Sequence, residues 1–339
     1  MNKNVWIAPA LLLCLSPWAQ ATERGAVRAL NGAAGAEVSS AQFPGWYGQA
    51  WLQHYRAHEF KDGAGRRPLQ QLDTPAGPVA VARGGELRAT VVVLRGTWLS
   101  EIRLGEGKFG LSATLPLVSL EQTARATPRF AAGTPAAVMA GVTAQANAAA
   151  AAASGSRSGA GDVELMPYVD WQTDSYRYAF GLGLVAPTGQ YSAARAVNPG
   201  AGKFWTLRPL AVGSYAWENG FELGARASYS INGENRATGN RSGQYLAVDA
   251  SSHYRLNDFW KLGLQGFLNW QTTADRCATP VASLCGKVRT LGLGPAINYL
   301  SEDGRVFVDA KVLREFGVRN RPEGTVFWPV SYTHLRAHE

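Results

Sequence analysis

Asp249, Ser251 and His253 stand at alternate positions of one segment, "YLAVDASSHYR". These residue types perform nucleophilic hydrolysis when an imidazole lies within hydrogen-bond reach of a hydroxyl. The spacing argues against that chemistry. Alternate residues of a strand form a column with a step of about 7 Å, too long for a direct hydroxyl–imidazole bond. His54 and His58 would share one face of a helix and could hold a metal there, but in a strand they lie too far apart. His334 and His338 fall in a C-terminal tail that does not fit the rest of the chain. The sequence therefore nominates no catalytic residue, no metal site and no cofactor, and a hydrolase is the least favoured of three functional readings.

The column belongs to a strand, and the same pattern recurs along the chain. In "FELGARASYSIN", Phe221, Leu223, Ala225, Ala227, Tyr229 and Ile231 alternate with Glu222, Gly224, Arg226, Ser228 and Ser230. Period two gives one apolar face and one polar face. "YAFGLGLVAP", "WKLGLQGFLNW", "TLGLGPAINYL" and "RVFVDAKV" repeat it, with aromatics such as Trp260 and Trp270 at both ends of one apolar face. Aromatics at both ends fit the two interfacial girdles of a membrane barrel, whose strands need about 9–11 residues. Twelve strands are expected, near 46–57, 86–97, 108–120, 162–172, 175–187, 203–217, 220–232, 243–256, 259–272, 286–300, 304–314 and 324–330. Tight links such as "WENG", "LNDF" and "SEDG" alternate with long ones at 58–85, 121–161, 188–202, 233–242, 273–285 and 315–323. Short periplasmic turns and longer outer loops distinguish an outer-membrane barrel from a soluble sandwich. The expected fold is all-β: a transmembrane, antiparallel, up-and-down β-barrel of about twelve strands (range about 10–14), as one domain over 22–328.

The N-terminus supports export. "MNKNVWIAPALLLCLSPWAQA" has a basic start, an apolar run and Ala19-Gln20-Ala21 before Thr22. This is a secretory signal peptide (1–21) cleaved between Ala21 and Thr22. Cys277 and Cys285 are then the mature chain's cysteines, an even pair that reads as a disulfide across an outer loop. The expected location is the outer membrane of a Gram-negative bacterium after signal removal, with membrane lipid, lipopolysaccharide and the barrel assembly machinery as partners. The net charge is +8, but arginine is scattered and no nucleic-acid motif occurs, so nucleic acid is excluded as a partner. Residues 121–161 are expected to form a low-complexity Ala/Gly loop. The ending "SYTHLRAHE" is polar and lacks a terminal aromatic, so residues 329–339 are read as a non-native tail that truncates the last strand.

Several stretches together carry a family resemblance: "PGWYGQAWLQHYRAHEFKDGAGR", "SATLPLVS", "GAGDVELMPYVDW", "YAFGLGLVAPTGQY", "NPGAGKFWTLRPLAVGSYAW", "FELGARASYSINGENRATGNRSGQYLAVD" and "FWKLGLQGFLNWQTTAD". In order and spacing they resemble the "MetA-pathway of phenol degradation" family, over roughly Pro44 to Trp328. The resemblance implies an outer-membrane barrel that takes up small, in some members aromatic, solutes.

Parity alone places the candidate lumen residues. These are Glu164, Tyr168, Asp170, Arg177, Arg208, Glu222, Arg226, Asp249, Lys261, Arg305, Asp309 and Lys311, with Trp51, Tyr55, Tyr245 and Phe267 adding aromatic surface. An arginine-rich, aromatic lumen suits a small-molecule solute with a ring and an acidic group. The bland alternative is that these charges pair with one another inside a non-conducting barrel that serves a structural or interaction role.

Overall fold

A chain of two-faced strands must find a separate environment for each face, and closing the sheet into a barrel supplies both. The computed structural model describes residues 27–40, 42–278 and 286–335. One sheet holds β1 (Gly45–Phe60), β2 (Leu69–Thr74), β3 (Gly77–Leu104), β4 (Gly107–Arg129), β5 (Gly155–Ala160), β6 (Glu164–Gln172) and β7 (Tyr176–Val185). It continues with β8 (Thr206–Ala216), β9 (Phe221–Asn232), β10 (Tyr245–Arg255), β11 (Trp260–Gln271), β12 (Arg289–Leu300), β13 (Val306–Arg319) and β14 (Pro322–Leu335). β2 and β5 are short additions on β3 and β4; without them the fourteen-stranded sheet leaves twelve strands. These close on themselves: β14 pairs with β1, β1 with β3, β3 with β4, β4 with β6, and each strand from β6 onward with the next, all antiparallel. This is the expected barrel.

Leu182, Leu184, Leu223, Leu262, Leu264 and Leu293 are exposed on its outside. So wide an apolar belt is a liability in water and a requirement in lipid. Aromatic pairs rim its short-turn end, including Trp46–Trp98 (6.1 Å), Trp171–Tyr178 (5.2 Å) and Trp260–Tyr299 (4.8 Å). Trp205 and Trp270 are exposed near the opposite rim. No helix among the described residues is long and apolar enough to cross a membrane.

Three expected links are largely structured. β13 continues through Arg319, so 315–323 is not a loop; a turn at Asn320 and Arg321 joins it to β14, with Asn320 at φ 54°. Asparagine tolerates that left-handed conformation. Residues 58–85 contain β2 and the start of β3. Within 121–161, β4 runs on to Arg129, one helix spans Ala136–Ala152, and β5 follows. Alanine is the strongest helix former, and Val142 and Ala146 give the helix a buried edge against Leu72, Val79 and Val81. The last strand is not cut short at Trp328. β14 reaches Leu335, pairing Thr333 with Val306 and Leu335 with Trp46, and so completes closure. The signal peptide with Ala21 and Thr22, and Cys285, lie outside the described residues.

Candidate functional site

The twelve-stranded wall encloses a lumen, and the segment before β1 lies inside it. At the long-loop end, Arg28 forms a 3.1 Å ion pair with Asp162 and sits 3.8 Å over the Phe204 ring. Midway, the Asp249 carboxylate accepts the backbone N–H groups of Gly32 (2.8 Å) and Ala34 (3.3 Å). Lys311 Nζ donates to the carbonyls of Ala33 (3.1 Å) and Ala34 (3.2 Å). Trp328 Nε1 donates to the Asn31 carbonyl at 3.0 Å. Lower down, Arg177 donates to the carbonyls of Glu37 and Val38, Ser39 Oγ to Glu222, and Gln172 Oε1 accepts the Gln42 N–H. Residues 27–40, with Gln42, thus form a plug that traverses the lumen before the chain turns into β1.

The fit requires small residues. A Cβ on Gly35 would lie 2.3 Å from Asp309 Oδ2, and one on Gly32 2.5 Å from Leu313 Cδ1, where φ is also +71°. Side chains at either place would collide with groups that are themselves fully buried.

The charged residues selected by parity face this lumen, and they are paired. Arg177 meets Asp170 at 2.6 Å, Arg208 meets Glu164 at 2.8 Å, Arg226 meets Asp249 at 3.1 Å, Lys261 meets Glu222 at 2.7 Å and Lys311 meets Asp309 at 3.1 Å. Trp51, Tyr55, Tyr168, Tyr245 and Phe267 are buried and inward. Arg305 is the exception and a correction: it is exposed in the turn between β12 and β13, 3.8 Å from Asp303. Arg305 lies one residue before β13 begins at Val306, so strand parity does not govern it. The Ser301 hydroxyl, then the Arg305 N–H, holds the Asp303 carboxyl below the usual carboxylate range. Asp249, Ser251 and His253 do form a column, but no hydrogen bond joins them. Asp249 and Ser251 bond the plug, and His253 meets Gln265 at 3.1 Å.

Among the described residues, two cavities lie beside the plug. The outer one, about 290 Å³, has walls from Leu30, Trp51, Leu87, Val91, Met166 and Val326, with the paired arginines Arg208, Arg226 and Arg321 among them. The inner one, about 60 Å³, lies against Glu37 and Val38 and reaches Gln42, Gln49 and Arg177. Arg95, Met166, Leu210 and Arg226 border both. The guanidinium of Arg95 lies 5.7 Å from the Trp51 ring.

Sequence reasoning missed several of these groups. Glu315 and Arg321 (3.4 Å apart) fell in the supposed 315–323 loop, although Glu315 also accepts the Tyr55 hydroxyl at 2.7 Å. Met166 and Leu210 share the inward parity of Tyr168 and Arg208, a signal that could have found them. The plug offered only the small-residue run "NGAAGAEVSS". Cys277 is disulfide-bonded; its expected partner lies outside the described residues.

Comparison with known proteins adds four findings. The family model described as "Putative MetA-pathway of phenol degradation" matches residues 70–328. The COG4313 outer membrane channel from Pseudomonas putida F1 has a similar fold: TM-score 0.61, 12% identity, covering 87% of this chain and 97% of that one. The CymD monoaromatic hydrocarbon channel superposes more loosely, with TM-score 0.39 and 11% identity, covering 95% of this chain and 99% of that one. No curated protein matches the sequence.

Proposed function

This chain belongs to the MetA-pathway of phenol degradation family, and on that premise we propose that it is an outer-membrane channel for small, largely apolar solutes, aromatic ones included. Two cavities that share Arg95, Met166, Leu210 and Arg226 as a common border support this reading: they follow one another along the plug from the long-loop end toward the short-turn end, and an opening at that shared border, the neck, would make them one path. A cavity on the order of 150 Å³ holds one benzene molecule; the outer cavity, at about 290 Å³, has room for a substituted ring. Its aliphatic and aromatic walls replace water around the ring, while Arg208 and Arg226 can meet a polar substituent. The channel reading rests on a chain that is exported, cut after Ala21, inserted by the assembly machinery and surrounded by outer-membrane lipid.

A second reading, a barrel that conducts nothing, is favoured by the plug itself. Flux of a labelled monoaromatic acid into proteoliposomes separates the two. The channel reading expects uptake above protein-free liposomes, and strong reduction on Leu210→Trp, which fills the neck. Uptake equal to that of empty liposomes would leave the non-conducting barrel.

A further inference from the structure

The outside of the barrel carries a feature that transport does not use. Across four neighbouring strands, Arg314 is the register partner of Thr325, Thr325 of Arg56, and Arg56 of Arg88. All three arginines are exposed, and they project outward because Tyr55, Ala89 and Leu313 beside them are buried inward. Arg56 and Arg88 stand directly opposite each other, and like charges so placed are destabilising in water. Arg314 donates to Thr325 Oγ1 at 3.2 Å, and Arg88 pairs with Glu86 at 3.3 Å, an acid also shared with Arg125. Arg56 makes no ion pair among the described residues, and neither does Glu121, the register partner beyond Arg88. A second like-charge pair, Arg289 opposite Arg319, joins β12 to β13.

Height on the wall decides what this row could meet. One step toward the short-turn end lies Val312, Phe327, His54 and Thr90; the next step holds Leu52, Val92 and Leu117. Arginines therefore sit just above the apolar belt on the long-loop side. The outer ends of β7, β9 and β11 present Leu184, Ile231 and Trp270 instead, while the arginines of the outer wall gather on the arc from β12 through β14 and β1 to β4, as Arg289, Arg319, Arg314, Arg56, Arg88 and Arg125.

We propose that the β13–β14–β1–β3 face binds a phosphorylated, acylated lipid of the outer leaflet, with phosphate bridging Arg56 and Arg88 beside Arg314 and acyl chains on Leu52, Val92, Val312 and Phe327. A phosphate converts the Arg56–Arg88 repulsion into charge-assisted, forked hydrogen bonds. The apolar rows beneath supply a surface that a free anion would not need.

Native mass spectrometry of the purified full chain tests this, with bisphosphorylated lipid A, its dephosphorylated form and inorganic phosphate as separate probes. The wild type should bind the bisphosphorylated lipid at least about tenfold more tightly than the dephosphorylated one, and Arg56→Gln/Arg88→Gln should lose about as much. Arg236→Gln, which removes one exposed loop charge, should bind as the wild type does. Heat-dependent migration on SDS gels confirms that each variant is folded, and the comparison of lipids on the wild type needs no variant. Equal binding of the two lipids, an equal loss in Arg236→Gln, or displacement of the lipid by equimolar inorganic phosphate would overturn the proposal.

Discussion

Arg226 and Asp249 form a 3.1 Å ion pair between β9 and β10 that joins the two parts of the lumen. Arg226 borders both cavities, while Asp249 accepts two backbone N–H groups of the plug. A group that enters the neck and competes for Arg226 therefore acts on the carboxylate that anchors Gly32 and Ala34.

Asp249→Ala should unseat the plug without opening the barrel wall. Hydrogen bonds to a charged group contribute about 1.5–3 kcal/mol each, and this substitution removes two of them together with the partner of Arg226. The expected outcome is faster hydrogen exchange over residues 27–40 and larger, more frequent openings in planar-bilayer recordings. Unchanged exchange would show that the other contacts hold the plug alone.

Gly35→Val should act similarly for a steric reason. Its Cβ would fall 2.3 Å from Asp309 Oδ2 and 2.4 Å from Gln265 Oε1, both on buried side chains. Gly213→Ala is the control, since nothing lies within 4 Å of a Cβ there. Exchange should rise in the first variant and stay at the wild-type level in the second.

Trp328→Ala should weaken the barrel itself. The side chain is fully buried in the cluster with Trp51, Phe267, Leu313 and Val326, and it also bonds Asn31. Truncating a buried tryptophan costs about 3–5 kcal/mol. Urea unfolding from lipid vesicles should show a midpoint lowered accordingly, whereas Trp328→Phe should keep most of the stability and lose the bond to the plug.

Cys277 should be linked to Cys285. Peptide mapping without reductant should recover residues 277 and 285 in one cross-linked species, and reduction should free both for alkylation. Because the bridge lies in the 272–288 connection, its loss should leave the heat-dependent gel shift of the barrel intact. Two separately alkylated cysteines before reduction would refute the pairing.

The sequence by itself determined which residues face in and which face out. A strand turns its side chains over at each residue whatever its neighbours are, so period two assigned Asp170, Arg177, Glu222, Asp309 and Lys311 to the lumen before any pairing was known. It failed where that rule does not apply: at Arg305, in a turn, and at Glu315, where an assumed loop hid the continuation of β13. Only the tertiary structure decided which groups meet, on either face. Arg208 reaches Glu164 across an intervening strand, and Arg56 confronts Arg88 only because the register of β1 on β3 sets them opposite. The plug belongs to the same class. Its glycines, alanines and serines have no periodicity to read, and they gain a place only when closure of the barrel creates a lumen of the right width lined with the right partners.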